Sequence, residues 1–175
     1  MDASRLLTDF VTNAARKIDQ DRRQIVRCAN LLTESEAWSR PNERCNSVAN
    51  QILHLTGNIR QWILGGLDGQ AIERDRPAEF AARGPAPVLP IVRLFEEAVD
   101  AVTAVIAGLD GPQLTRNYRI QGYEVSGLIA VFHVAEHVSF HTGQIVHITK
   151  AIKAVDLSVY DAQGRNEGTK DGALW

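Results

Sequence analysis

The segment from residue 124 to residue 154 constrains the fold more than any other part of this sequence. Read as a helix, it carries apolar side chains on almost every side, and such a helix is mostly buried. These side chains are Val125, Leu128, Ile129, Phe132, Val134, Ala135, Val138, Ile145, Val146, Ile148 and Ile152. The sequence therefore predicts a long helix from about Glu124 to Ala154 that other elements surround.

Two earlier segments have the apolar periodicity of helices that can surround it. Residues 5–32 form the first, and its apolar stripe lapses at Asp21 and Arg22, which predicts a polar contact halfway along that helix. A second helix is predicted from a cap at Asn46 or Ser47 to about Leu67. Residues 33–46 are rich in turn formers and are predicted to be a connection.

A third helix is predicted from Pro90, a residue suited to a first helical turn, to about Gly108. Residues 68–89 before it contain three prolines and mixed charge, which predicts a long crossover with no more than a helical turn at "PAEFAA". Residues 115–125 predict a short hairpin that turns at Gln121-Gly122. Four helices with such a crossover between helices 2 and 3 predict an all-α fold, a four-helix bundle, with any ligand site between facing helices.

The composition fits one globular domain. The 175 residues are enough to bury a core, and the net charge of -2 gives no reason to expect nucleic acid or a membrane as a partner. The N-terminus lacks the basic start of a signal peptide and no apolar run spans a bilayer, so we expect a cytoplasmic protein. Cys28 and Cys45 lack the spacing of a metal site. The polar tail, about 157–175, is expected to be loosely ordered unless Tyr160 and Trp175 dock.

A polar line of His133, His137, His141 and Gln144 runs along the otherwise apolar fourth helix. Three of the five histidines of the chain lie within the short stretch "HVAEHVSFH". Buried imidazoles cost free energy unless they are hydrogen-bonded or bound to a metal. A neighbouring carbonyl or carboxylate usually satisfies a single core histidine, but three in a row predict a polar site.

Helix geometry limits how these histidines can share an ion. Residues four apart lie on the same face, whereas His133 and His141 are separated by roughly 12 Å along the axis, at about 1.5 Å per residue. His137 can therefore share an ion with only one neighbour. Pairing with His133 gives the H-x-x-E-H pattern of inverted zinc proteases, with Glu136 as the general base. This interpretation is disfavoured because so short a pattern arises by chance and no strand is evident to hold an extended peptide.

Pairing His137 with His141 requires a third ligand from another helix. His54 lies at the polar margin of the second helix, one turn before Asn58, whereas His147 lies on another side of the fourth helix. A histidine such as His54 is more often exposed than a ligand. Spacing alone leaves the choice of ligands open.

Two segments resemble the DinB-like superfamily of small bacterial helical proteins. They are "NSVANQILHLTGNIRQWI" at 46–63 and "HVAEHVSFHTGQIVHITK" at 133–150, and the resemblance extends over nearly the whole chain. It is greatest to uncharacterised members with a histidine in "HLTGN" and a later H-x-x-x-H-T-G-Q-I. The resemblance implies a four-helix bundle, often a homodimer, that holds a divalent ion on three histidines.

Carried onto this sequence, the resemblance makes His54, His137 and His141 the metal ligands. It leaves a set of residues that would orient the ligands or line a pocket, namely His133, Glu136, Gln144 and Asn58. Three neutral imidazoles leave a coordination position open, which is the pattern of catalytic rather than structural sites. An all-nitrogen ligand set suits zinc or nickel.

The implied function is that of a metal-dependent enzyme with a small-molecule substrate. It would be a transferase that uses a low-molecular-weight thiol as cofactor, or a hydrolase, with the metal activating the thiol or a water. Two alternatives stay open. One is a non-catalytic stress protein that binds a metal or a small molecule, and the other is a structural helical dimer whose histidines satisfy one another.

Overall fold

The computed structural model describes residues 3–157, which are mostly helical. Its long helices are α1 (Ala3–Leu31), α3 (Val48–Ile59), α5 (Leu89–Ala107) and α7 (Gly127–Lys153). Three short helices lie between them, α2 (Glu34–Trp38), α4 (Arg76–Ala81) and α6 (Gly111–Thr115). A π-helical segment, Arg60–Gly65, continues α3, so the predicted second helix reaches Gly65 with a change of pitch.

The four long helices pack against one another around a common apolar core. Helix α1 contacts α5 and α7, and α3 contacts the same two helices. Fully buried side chains at this centre include Ile18, Leu55, Phe95 and Val134. Burying one such side chain stabilises the fold by about 1.5–3 kcal/mol relative to leaving it exposed. This packing fixes the histidine-bearing face of α7 against α3.

A two-stranded antiparallel hairpin precedes α7, as predicted. It consists of β1 (Asn117–Ile120) and β2 (Tyr123–Ser126). The predicted turn at Gln121-Gly122 is confirmed, and φ is positive at both residues, 52° and 84°. Two consecutive positive φ angles are typical of the type I′ turn that matches strand twist.

Helix α7 begins at Gly127, later than the predicted start at Glu124. Glu124 instead pairs with Arg119 in the hairpin. The helix then begins where the Ser126 hydroxyl accepts a hydrogen bond from the Ile129 N–H at 3.2 Å. A side-chain cap of this kind satisfies a donor that a helix start leaves open.

The prediction that α7 is mostly buried does not hold on one side of the helix. Ile129 is 47% exposed and Phe132 is 58% exposed, and Phe140 lies on the same outward side. The sides that contact α1, α3 and α6 are buried. Apolar content along the sequence therefore overstates how much of this helix its neighbours cover.

The first predicted connection contains more helix than expected, whereas the second contains the helical turn that was predicted. Residues 33–46 hold α2, which begins with reciprocal hydrogen bonds between Thr33 and Glu36. The helical turn expected at "PAEFAA" is confirmed as α4. It is fixed onto α3 because the Asn50 side-chain amide donates to the Glu79 carbonyl at 2.8 Å, and Arg40 donates to the Phe80 carbonyl at 3.0 Å.

The predicted polar contact in the middle of α1 is confirmed. Asp21 is only 4% exposed. It accepts hydrogen bonds from Lys17 and from the Ser139 hydroxyl on α7, both at 2.6 Å. The lapse in the apolar stripe therefore marks a contact between α1 and α7.

The expectations for the tail, including Tyr160 and Trp175, lie outside the described residues. Within residues 3–157, no helix is both long and apolar enough to cross a membrane. Cys28 is buried and Cys45 is partly buried, and neither forms a disulfide.

Candidate metal centre

The side chains of His54, His137 and His141 meet between α3 and α7. One ring nitrogen of each lies within 4.8 Å of the other two. His54 Nε2 and His137 Nε2 are 3.0 Å apart. Two ligand atoms in a tetrahedral shell with bonds of about 2.1 Å are separated by about 3.4 Å, so this spacing suits a shared ion. Within residues 3–157, no other histidine, cysteine or carboxylate group of three or more comes together in this way.

Helix geometry explains why two ligand candidates come from α7. His137 and His141 are one turn apart on the same face, and their ring centroids are 4.6 Å apart. His54 faces them from α3 and is buried rather than marginal, because α4 covers it with the Phe80 ring at a centroid distance of 4.7 Å. The crossover therefore closes the site that the two long helices begin.

The His54 ring is oriented by a carboxylate from α4. His54 Nδ1 lies 2.9 Å from Glu79 Oε2. Arg74 holds this carboxylate with two hydrogen bonds, from Nε at 2.7 Å and from Nη2 at 2.9 Å. Because a carboxylate accepts, His54 donates through Nδ1–H, and the neutral ring presents the lone pair of Nε2 towards His137.

The His141 ring is oriented in the same sense by an amide. Its Nδ1 lies 3.1 Å from Gln51 Oε1, so it donates through Nδ1–H and leaves a lone pair on Nε2. Metal-binding histidines commonly donate their second ring nitrogen to an oxygen in this way. Two of the three imidazoles thus have the tautomer that metal coordination through Nε2 requires.

Burial keeps these imidazoles neutral. Burial, together with the neighbouring His141 and His54, lowers the pKa of His137 to about 3. Burial also lowers the pKa of His141 to about 4, although a hydrogen bond to the Gln144 side chain opposes the shift. The pKa of His54 is lowered by burial as well, although Glu79 opposes the shift. Neutral imidazole is the form that binds a metal.

Gly57 in the "HLTGN" motif makes room for the pair that orients His54. A Cβ at this position would overlap Glu79 Oε1 and come within 2.7 Å of Arg74 Nε. Any side chain here would displace the Glu79–Arg74 pair from the surface of α3. The glycine therefore belongs to the site, although its backbone is ordinary helix.

A hydrogen-bond chain connects the site to the hairpin. Arg74 Nη1 donates to Gln61 Oε1 at 2.8 Å, and the Gln121 side-chain amide at the hairpin turn donates to the same oxygen. The hairpin, the crossover and the π-helical segment thus meet beside His54. They form one wall of a cavity of about 420 Å³ that His54 and His137 also line.

The four residues that were predicted to line a pocket do not all lie in this cavity. Asn58 and His133 line this cavity. Gln144 is exposed but interacts with His141. Glu136 is exposed on the outward side of α7.

The H-x-x-E-H pattern gathers no comparable group of ligands. The rings of His133 and His137 stack with centroids 5.3 Å apart. His133 is nevertheless absent from the group of nitrogens formed by His54, His137 and His141. His137 groups instead with His141 and with His54 from α3, and Glu136, the proposed general base, is exposed on the outward side of α7. Both observations disfavour the inverted protease pattern.

Sequence reasoning missed three residues that organise the site, Glu79, Arg74 and Gln51. Glu79 and Arg74 lie in a crossover whose path over α3 has no periodic signal. The turn predicted at "PAEFAA" did place Glu79 on a helix that Asp75 and Pro77 start. No local signal indicated that this helix lies over His54. Gln51 is one turn before His54 on α3, and only the packing of α7 shows that it contacts His141.

Comparison with solved structures identifies the fold. A DinB-like protein from Bacillus cereus aligns with a TM-score of 0.63 and 14% identity, over 82% of this chain and 90% of that chain. A conserved protein from Enterococcus faecalis aligns with a TM-score of 0.60 and 14% identity, over 89% of this chain and 99% of that chain. At this identity the likeness concerns the fold. No curated protein matches the sequence.

The helical fold of this chain is thus similar to that of a DinB-like protein, the family that the sequence resembles. The chain belongs to the DinB-like family described as protein of unknown function (DUF1572), whose model matches residues 5–162.

Proposed function

We propose that His54, His137 and His141 together bind one divalent metal ion, zinc or nickel. The observation that carries this proposal is the convergence of three neutral imidazoles between α3 and α7. Two of them, His54 and His141, are buried and have Nδ1–H held by an acceptor. This nitrogen set suits either metal. Outer acceptors such as Glu79 and Gln51 fix the rings and raise their basicity as ligands.

A purely structural role for the cluster is disfavoured by proton counting. With Nδ1–H of His54 and His141 donated outward, both rings direct an unprotonated Nε2 inward. The only ring proton left for the interior is one on His137, and it can serve His54 Nε2 at 3.0 Å. That proton can serve only one acceptor, and the further partner of His141 is the exposed Gln144, whereas one cation can bind all three ring nitrogens at once.

Titration of metal-stripped protein with Co²⁺ tests this assignment, because its visible absorption reports the ligand set. We expect one ion per chain in the wild type and strongly weakened binding in His54→Ala. The matched control is His147→Ala, which removes an exposed histidine from the same helix as His137 and His141. Equal Co²⁺ binding by His54→Ala and the control would contradict the proposal.

We further propose that the protein is a metal-dependent enzyme, a transferase using a low-molecular-weight thiol or a hydrolase. A bound ion would supply Lewis-acid chemistry that stabilises a thiolate or lowers the pKa of water. The chain supports this with a cavity beside two of the proposed ligands, large enough for a small molecule. Trp62 and His133 line it with ring centroids 4.0 Å apart and offer an aromatic wall to a substrate.

A substrate panel tests the reaction class. Thiol cofactors paired with electrophiles test the transferase, and esters and amides test the hydrolase, each with metal-loaded and metal-stripped protein. Turnover that survives metal removal would contradict the metal-dependent mechanism. Metal binding without turnover across the panel would favour the non-catalytic binding protein.

We also propose that α1, α3, α5 and α7 form a four-helix bundle with a crossover, and that two copies form a homodimer. The mutual packing of these helices supports the bundle. The exposed Phe132 and Phe140 on one side of α7 support a contact between copies. Light scattering of the purified protein measures the oligomeric state, and a monomer at micromolar concentration would contradict the dimer.

A further inference from the structure

We propose that the cavity beside the histidine cluster binds a small carboxylate that carries an amide group. This inference rests on the proposed function, because it names the substrate class of the same site. Its evidence comes from residues that are not metal-ligand candidates. They line the cavity between α3, α7 and the hairpin.

Three residues that line this cavity have a buried polar atom without a hydrogen-bond partner in residues 3–157. The atoms are Asn58 Oδ1, Trp62 Nε1 and His133 Nε2. Asn58 is 4% exposed and Trp62 is 5% exposed. Buried polar atoms are rarely left unpaired, because losing water without gaining a partner costs free energy. Their concentration around one cavity indicates a ligand that supplies the partners.

The chemistry of these atoms specifies the ligand group. The indole N–H of Trp62 only donates, and Asn58 Oδ1 only accepts. A ligand group that satisfies both must offer an acceptor and a donor close together. An amide does so with its carbonyl and its N–H, while His133 Nε2 can take either role.

At the mouth of the cavity, a positive charge and an apolar surface set two further requirements for the ligand. Arg76 lines it, and its guanidinium lies 5.0 Å from the Phe80 ring. No carboxylate among the described residues forms an ion pair with Arg76, so it can receive the carboxylate of a ligand. The exposed side chains of Tyr123 and Ile129 offer apolar surface beside it. The site therefore suits an acylated amino acid with an apolar side chain.

Two other cavities lack this signature. The larger, of about 590 Å³, is lined by residues that include Cys45, Gln51 and Gln144. A third, of about 460 Å³, lies beside Arg23 and Arg27. Among the described residues, none that lines either cavity has an unpartnered buried polar side-chain atom. Unsatisfied polar atoms therefore select the cavity beside His54 and His137.

Affinity measurements with N-acetyl-leucine test this inference. Two comparison compounds each lack one feature, namely its methyl ester, without the charge, and 4-methylpentanoate, without the amide. Calorimetry or NMR titration of both metal-loaded and metal-stripped protein gives the affinities. We expect N-acetyl-leucine to bind at least tenfold more tightly than either comparison compound. Absence of N-acetyl-leucine binding, or equal affinity for all three, would overturn the proposal.

Variants assign the contacts. Trp62→Phe keeps an aromatic ring but removes the N–H. This variant and Asn58→Leu should each weaken the binding of N-acetyl-leucine at least fivefold. The matched control is Trp38→Phe, since the Trp38 N–H already donates to the Ala86 carbonyl at 2.9 Å. Arg76 is exposed, and Arg76→Gln should weaken the binding of N-acetyl-leucine but leave the affinity for its methyl ester unchanged. Unchanged N-acetyl-leucine affinity in Trp62→Phe, Asn58→Leu and Arg76→Gln, each folded by circular dichroism, would overturn the proposal.

Metal affinity measured on the same proteins separates the two proposals. If no metal binds but the probe pattern holds, the metal assignment fails and the cavity assignment stands. If metal binds and the probe pattern is absent, the cavity assignment fails and the metal assignment stands.

Discussion

His54 Nδ1 lies 2.9 Å from Glu79 Oε2, so a carboxylate carried by the crossover orients an imidazole on α3. Arg74 fixes the other side of that carboxylate. Carboxylate–histidine pairs of this kind set the tautomer and orientation of metal ligands. The crossover is therefore part of the candidate metal centre as well as a link between α3 and α5.

Replacing Glu79 with glutamine should weaken metal binding about 10–100-fold, the usual effect of losing an oriented outer carboxylate. The variant keeps the size of the side chain but removes its negative charge. That charge pairs with Arg74 and strengthens the contact with His54. Competition with a chelating indicator measures the affinity. Glu73→Gln, an exposed residue of the same crossover, is the control and should bind metal like the wild type. Equal affinities of the two variants would contradict the role given to Glu79.

Gly57→Ala should weaken metal binding even though alanine favours helix. The added methyl group would overlap Glu79 Oε1 and push the pair with Arg74 away from His54. Gly143→Ala is the matched control, because it lies within α7 and its added Cβ meets no atom within 4 Å. The control should keep its metal affinity and gain about 0.5–1 kcal/mol in the free energy of unfolding. Unchanged metal affinity in Gly57→Ala would show that the site does not need this close approach.

The metal-free protein should lose stability as the pH falls below neutrality. In the folded protein the pKa of His137 is lowered to about 3 and that of His141 to about 4. In the unfolded chain histidine has a pKa of about 6.5, so the unfolded state binds more protons below that pH. The part of the stability that depends on neutral buried histidines is fully present above about pH 6.5. It decreases towards the folded pKa values, by at most about 1.4 kcal/mol per pH unit for each histidine.

Urea unfolding between pH 7 and pH 5 measures this dependence. His141→Gln removes one of the buried imidazoles and should give a shallower slope than the wild type. A free energy of unfolding that is constant over this range, or an identical slope in His141→Gln, would contradict neutral burial of the cluster.

Asp21→Leu should destabilise the fold without affecting the metal site. The carboxylate of Asp21 accepts hydrogen bonds from Lys17 and Ser139 in a buried position, and its removal leaves both donors unpaired. We expect a loss of about 1–3 kcal/mol, the cost of leaving a buried polar partner without its hydrogen bond. Asp9→Leu, which removes an exposed partner of Arg5 on the same helix, should change stability by less than about 1 kcal/mol. Thermal or urea unfolding compares them, and similar losses would contradict the importance of the contact between α1 and α7.

Regular periodicity predicted the long helices because their apolar faces are set by local spacing. It also predicted the contact at Asp21 and the turn at Gln121-Gly122, where residue type limits the backbone directly. The outward side of α7 was not predictable, since Phe132 is apolar whether or not another element covers it. Burial depends on neighbours, and a single sequence specifies those only indirectly.

At the candidate metal centre, too, the sequence indicated some residues and not others. Helix spacing showed that His137 can share an ion with one neighbour, and the family motifs selected His141 and His54. Glu79 and Gln51 escaped prediction because their contacts join residues far apart in the sequence. Such partners depend on how the crossover lies on α3 and how α7 packs against it, and neither leaves a periodic pattern.

The most direct test is the metal content of untagged protein, measured by mass spectrometry of the elements after purification without chelators. The account predicts about one divalent ion per chain in the wild type. It predicts loss of that ion in His54→Ala, His137→Ala and His141→Ala, and retention in His147→Ala. A metal-free wild type that also fails to bind added zinc or nickel, or full occupancy in all three ligand variants, would contradict the central claim.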